Sequence, residues 1–156
     1  MADPPAGPQS SAELMSIAEL SPSIHSTKSI KAVVALIWPY SASNKSLTLL
    51  LVEPDFRLRR NKGQVKAEFH GSSAKEVTRS GLGSGDEVLL SLEGVNWTRD
   101  DADMRTPGKG VEWKLSFAER VLMQVYYRLL QQGLHVCRRA NLWSLRSTAT
   151  RISSLS

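Results

Sequence analysis

The chain has 156 residues, 41% hydrophobic and 22% charged, with a net charge of +5 and one cysteine, Cys137. That length suits one domain with tails, large enough to bury a core, and the composition excludes wholesale disorder. The lone cysteine excludes a disulfide framework within the chain, and the longest apolar run, residues 32–38, is far shorter than the ~20 residues of a membrane-spanning helix.

Residues 1–28 hold three acids and one base, residues 29–119 twelve acids and thirteen bases, and residues 120–156 six arginines and no acid. A basic chain suggests a polyanionic partner, but here the excess charge lies beyond the candidate domain. No charged segment followed by an apolar one opens the chain, so no secretory signal is expected and an intracellular protein is favoured. The sequons at Asn44 and Asn96 then read as chance matches.

Residues 1–28 are rich in Pro, Ser and Ala and are expected to form a flexible arm outside the core. Residues 29–40 are predicted as the first strand, because Val33, Val34, Ile37 and Trp38 are residue types that suit strands. Residues 40–46 form a polar turn, and residues 47–52 a second strand stopped by Pro54-Asp55. The loop over 56–63 is the most distinctive stretch: Arg57, Arg59, Arg60 and Lys62 interleave with Phe56 and Leu58. Residues 64–71 alternate cleanly, with Val65, Ala67 and Phe69 on one face and Gln64, Lys66, Glu68 and His70 on the other.

The period then changes. Ser73 and Glu76 have the spacing of a capping box, Ala74 and Val77 share a helical face, and Gly81 ends the short helix. The glycines at 81, 83 and 85 form a turn. A phosphate-cradling loop would need a strand before it and a helix after it, the reverse of the order here. Residues 87–92 read as the fourth strand and 94–110 as a long loop carrying Trp97, Arg99 and Lys109. Val111, Trp113, Leu115 and Phe117 alternate as the fifth strand, which resumes to Val125 after a bulge at 118–120. A helix with apolar residues at 117, 121, 125 and 129 competes with that reading. Residues 126–134 suit a helix ended by Gly133. The remainder is either a basic tail touching nucleic acid or a membrane surface, or read-through beyond a normal domain end.

No catalytic or metal constellation is apparent. His25, His70 and His135 are far apart, and Asp100, Asp101 and Asp103 lack the calcium-loop pattern. Binding is the better-supported chemistry. Strand, turn, strand, basic loop, strand, helix, strand, loop, strand is the order of a five-stranded OB barrel, here spanning 29–125 between flexible tails at 1–28 and 126–156. OB barrels bind single strands on the face of their second and third strands and on the loops joining strands one to two and four to five. At those places stand Tyr40, Lys45, Arg57, Arg59, Arg60, Lys62, Lys66, His70, Trp97, Arg99 and Lys109. Arg57, Arg59, Arg60, Lys62 and Lys66 would hold phosphates, while Tyr40 and Trp97 would stack bases. Trp38 and Trp113 are expected in the core.

Residues 34–40, the run Glu-Pro-Asp-Phe-Arg-Leu-Arg-Arg at 53–60, the strand at 64–71, Gly85-Asp86 and residues 113–125 together resemble the telomeric single-strand-binding OB domain of Protection of Telomeres proteins and their fungal relatives. The resemblance covers roughly residues 24–125. It implies binding of the G-rich telomeric overhang, nuclear residence at chromosome ends and partners among other telomere-protection proteins. No enzyme activity, cofactor or membrane association is expected from the residues themselves. Two other readings stand beside the telomeric one: an OB protein-interaction module without DNA binding, and a general single-strand or RNA binder.

Overall fold

One long strand carries the fold. In the computed structural model, which describes residues 13–24, 27–100, 110–118, 120–131 and 134–142, β2 runs Lys28–Ser41. Its first half pairs antiparallel with β5 (Glu87–Ser91) and its second half with β3 (Ser46–Val52). Val33 sits opposite both Val52 and Glu87, where β2 passes from one neighbour to the other. A register shift between Val34 and Leu36 falls just beyond that point, and such bulges bend a strand and increase its twist.

The remaining elements are β1 (Glu13–Met15), β4 (Gln64–His70), α1 (Ser72–Arg79), β6 (Asn96–Arg99), β7 (Trp113–Phe117), β8 (Met123–Gln131) and β9 (Leu134–Leu142). Among the described residues they form one open sheet in the order β6-β7-β4-β3-β2-β5-β8-β9, with β1 beside β2. The domain is therefore all-β around one short helix. β7 pairs parallel with β4, and β8 pairs antiparallel with β5. The chain between β7 and β8 thus crosses from one side of the sheet path to the other.

The core lies on the inner face. Leu47, Leu49 and Leu51 of β3, Val65, Ala67 and Phe69 of β4, Val88 and Leu90 of β5, and Leu115 and Phe117 of β7 are all buried there. The rings of Phe69 and Phe117 stack with centroids 5.4 Å apart. Ala74 and Val77 press the helix onto this core as their spacing predicts, and Gly81 ends it at φ +70°, a conformation that glycine adopts without strain.

Four expectations need correction. The N-terminal arm contributes to the fold: β1 pairs parallel with β2, and Ile17 and Leu20 are buried in the core. The Ile17 amide donates to the buried Glu53 carboxylate at 2.5 Å, so the arm is fixed by a charge-assisted bond as well as by apolar contact. Residues 1–12 lie outside the described part.

The capping box at Ser73 does not form. The helix begins two residues earlier than that box would start it, at Ser72 with Gly71 as its cap. The Ser73 hydroxyl instead lies 2.8 Å from the His70 carbonyl and 3.0 Å from that of Phe117, tying the helix start to the end of β7.

The long loop at 94–110 contains β6, whose four residues pair with β7. The helix expected at 126–134 is strand: β8 continues through Gln131 and pairs with β9 along its whole length. The rival helical reading of 117–129 fails for the same reason, because the chain leaves one ladder after Phe117 and enters another at Met123.

Candidate functional site

The outer face of β2, β3, β4, β7 and β6 is opposite the core, and its rows follow from the register. One row runs Trp38, Thr48, Glu68, Ser116, Asn96; the next runs Leu36, Leu50, Lys66, Lys114, Thr98. The basic loop 53–63 joins β3 to β4 at the edge of this face.

That loop is folded by its own residues. The Glu53 amide donates to Gly63 O at 2.9 Å and closes it at the base. A 3-10 turn at Leu58–Arg60 fills the middle. Arg59 is structural: its Nε donates to Glu53 O at 2.6 Å, and its guanidinium stands 4.3 Å from the Phe56 ring centroid. Phe56 remains 76% exposed. Arg57, Arg60 and Lys62 project into solvent, and no carboxylate among the described residues forms an ion pair with any of them. The loop therefore presents three unneutralised cations around one exposed ring.

The strand face differs. Lys66 is only 5% exposed and its ammonium lies 2.9 Å from Asp100, so its charge is already matched. His70 Nε2 lies 3.0 Å from Glu68 Oε1, and Lys114 Nζ lies 2.6 Å from Glu68 Oε2. Cations and carboxylates thus neutralise one another across the face, which weakens it as a phosphate track.

The aromatic assignments change places. Tyr40 turns to the inner side, where it lines an apolar hollow of about 170 Å³ between α1 and the sheet with Ile37, Leu47, Leu49, Val77 and Leu82. Trp97, opposite Leu115, packs against the core. Trp38, expected inside, stands on the outer face opposite Thr48 and keeps part of its surface exposed. Trp113 is also partly exposed, with the Arg99 guanidinium 5.8 Å from its ring centroid.

Lys45 is exposed in the β2–β3 turn at φ +49°, and its carbonyl accepts from Gly71. Lys109 lies outside the described residues. The structure therefore gathers Arg57, Arg59, Arg60 and Lys62 in one loop, puts Lys66 and His70 on the adjoining face, and turns Tyr40 and Trp97 away from it. The polar alternation of β4 already marked Glu68. Trp38 and Lys114 were missed: alternation puts Lys114 on the face opposite the buried Leu115, whereas the facing of Trp38 follows only from its pairing with Thr48.

Among the described residues no group of three His, Cys, Asp or Glu could hold a metal ion, and no helix is long and apolar enough to cross a membrane.

Fold and site together define an all-β domain with one basic, ring-bearing loop at the rim of a charge-paired sheet face. The chain belongs to the family described as Domain of unknown function (DUF8502), which it matches over residues 10–133. No curated protein and no solved structure matches it.

Proposed function

We propose that this protein is a binding module, not an enzyme, that takes single-stranded nucleic acid, specifically the G-rich telomeric strand, on an OB-type barrel. The pairing pattern supports the barrel: the first long strand, β2, pairs with the second and fourth, and the third pairs parallel with the first part of a fifth whose later part returns to the fourth. The observation that carries the function is the exposed Phe56 set among the unneutralised Arg57, Arg60 and Lys62. Cations that follow the backbone and a ring on which a base can stack are what a single strand requires. The telomeric preference, residence at chromosome ends in the nucleus and partnership with other telomere-protection proteins rest on the sequence resemblance.

The test is fluorescence anisotropy of the full chain with a G-rich telomeric repeat, against a mixed sequence, across a salt series. The expected result is salt-sensitive binding that favours the repeat and is lost in the Arg57→Ala/Arg60→Ala/Lys62→Ala variant. Equal binding of both sequences would remove the telomeric reading and leave a general single-strand binder. No binding at low salt by the folded protein would end the nucleic-acid reading.

A second reading has its own support. Lys66 and Glu68 are already ion-paired on the face, while Leu36, Phe56 and Leu58 expose apolar surface. An interaction module would use that surface for a protein partner, with binding that responds little to salt.

A further inference from the structure

The charge-paired strand face is a poor phosphate track but has the right pattern of groups for a base edge. We propose that Glu68 and Lys114 form a guanine-reading pair on the outer face of β4 and β7. This inference rests on the single-strand reading above and names the base that the face selects.

The pair is accessible. Glu68 is 20% exposed, Lys114 29% and His70 39%. The Glu68 carboxylate is also held in place from both sides, by His70 Nε2 at 3.0 Å on Oε1 and by Lys114 Nζ at 2.6 Å on Oε2. A carboxylate offers about four lone-pair sites, so each oxygen keeps one for a ligand. An ammonium has three protons, so Lys114 keeps donors beyond the one given to Glu68. Read along the face, the pair presents a donor followed by two acceptors.

Single-stranded bases expose their Watson–Crick edges to such groups. Guanine presents O6, N1–H and N2–H₂ in a row, an acceptor followed by two donors, which complements the pair. Lys114 would donate to O6, and the two Glu68 oxygens would accept from N1–H and N2–H₂. Adenine, cytosine and thymine each offer a donor beside an acceptor, which would set a lone pair against the carboxylate. Trp38 lies in the same row as Glu68, two strand spacings or about 10 Å away, and offers a stacking surface to the neighbouring base. Sequence preference and phosphate binding are thereby divided between two places: base edges are read on the neutral face, and the backbone is held by the basic loop.

The test uses the full chain and a G-rich single strand of about 12 nucleotides, within the range one OB domain covers. Inosine, which lacks the N2 amine, replaces each guanine in turn. In the unmodified protein, inosine at one position is expected to weaken binding on the order of 10-fold. Glu68→Gln, checked for folding by thermal melting, should bring guanine and inosine to within about twofold there, with the salt dependence unchanged, because no phosphate contact is lost. If every inosine strand bound the unmodified protein as well as the parent while Arg57 and Arg60 still mattered, this inference would fall and the single-strand reading would stand. An inosine effect that survives in folded Glu68→Gln would overturn the assignment to Glu68. Absence of any binding would overturn both readings together. The inosine scan of the unmodified protein can overturn the inference even where the variant does not fold.

Discussion

Lys66 and Asp100 meet at 2.9 Å on the outer face of the sheet, with the lysine almost wholly withdrawn from solvent. The contact joins β4 to the segment just after β6 and gives Lys66 a structural role where sequence suggests a phosphate clamp. Asp100→Ala takes this carboxylate from a lysine side chain that is 5% exposed, and should cost about 1–3 kcal/mol by urea unfolding. Lys66→Met should change affinity for a single strand by less than about twofold if the lysine contacts no phosphate. A drop comparable to that of Arg57→Ala would return Lys66 to the binding surface.

Arg57, Arg60 and Lys62 are expected to behave oppositely. Their charges are unmatched among the described residues and they sit on a loop, so single substitutions should leave stability within about 0.5 kcal/mol. Each lost phosphate contact on a single strand should lower the slope of log affinity against log salt by about 0.7, so the triple alanine variant should lose about 2. Unchanged slopes would make the loop a bystander.

Alternation and turn chemistry made much of this fold legible. The inward face of β4, the helix face of Ala74 and Val77 and the glycine stop at Gly81 lie where residue pattern puts them. β6 was not legible because Asn96–Arg99 is four residues long, mixed in character and held by its ladder to β7 rather than by propensity. Tyr126–Gln131 has no acid and mixed polarity, so local pattern favoured a helix until pairing with β9 decided otherwise. Of the site, the loop cations were readable as a cluster. The pairing of Lys66 with Asp100 joins residues 34 apart in sequence, and the facing of Trp38 and Tyr40 depends on register shifts in β2. No local pattern carries either.

Ile17 should be among the most sensitive positions, although it lies in a stretch whose composition reads as a tail. Ile17→Ala removes a fully buried side chain from the core and should destabilise the domain by about 2–5 kcal/mol. A fragment beginning at residue 24 loses Ile17, Leu20 and the partner of Glu53 together, and should melt well below the full chain. Calorimetry of the two would check this. Equal melting temperatures would mean that the arm only rests on the sheet.

Glu19 gives the arm a pH response. The Ser16 amide and then the Ser16 hydroxyl donate to its carboxylate, at 3.1 and 3.0 Å, and hold the Glu19 carboxyl below its ordinary range. Because the folded value is the lower one, this contribution is present above the unfolded value and is lost as the pH falls through the folded one. Ser16→Ala removes the hydroxyl and leaves the amide, so the titration should move up part of the way. Carboxyl NMR titration reads it directly, and no movement would mean that the hydroxyl bond does not persist in solution.

Gly63 offers a test of loop shape at constant charge. A Cβ there would lie 2.4 Å from the Leu58 carbonyl oxygen and 2.6 Å from the Arg59 Cα, both backbone atoms that cannot swing aside. The loop closes on itself at this residue, and the Glu53 amide bond to Gly63 O holds the closure. Gly63→Ala must therefore open the 3-10 turn, with an expected loss of about 1–3 kcal/mol. It should also loosen the stack of Arg59 on Phe56, which packs against the same turn. If the loop binds through a preset arrangement of Phe56 and its cations, affinity for a single strand should fall several-fold while every charge remains. The salt slope should hardly change, because the phosphate contacts available are the same. Anisotropy of Gly63→Ala beside Arg57→Ala separates the two contributions. An unaltered affinity in Gly63→Ala would show that charge alone matters and that the folded loop adds nothing to recognition.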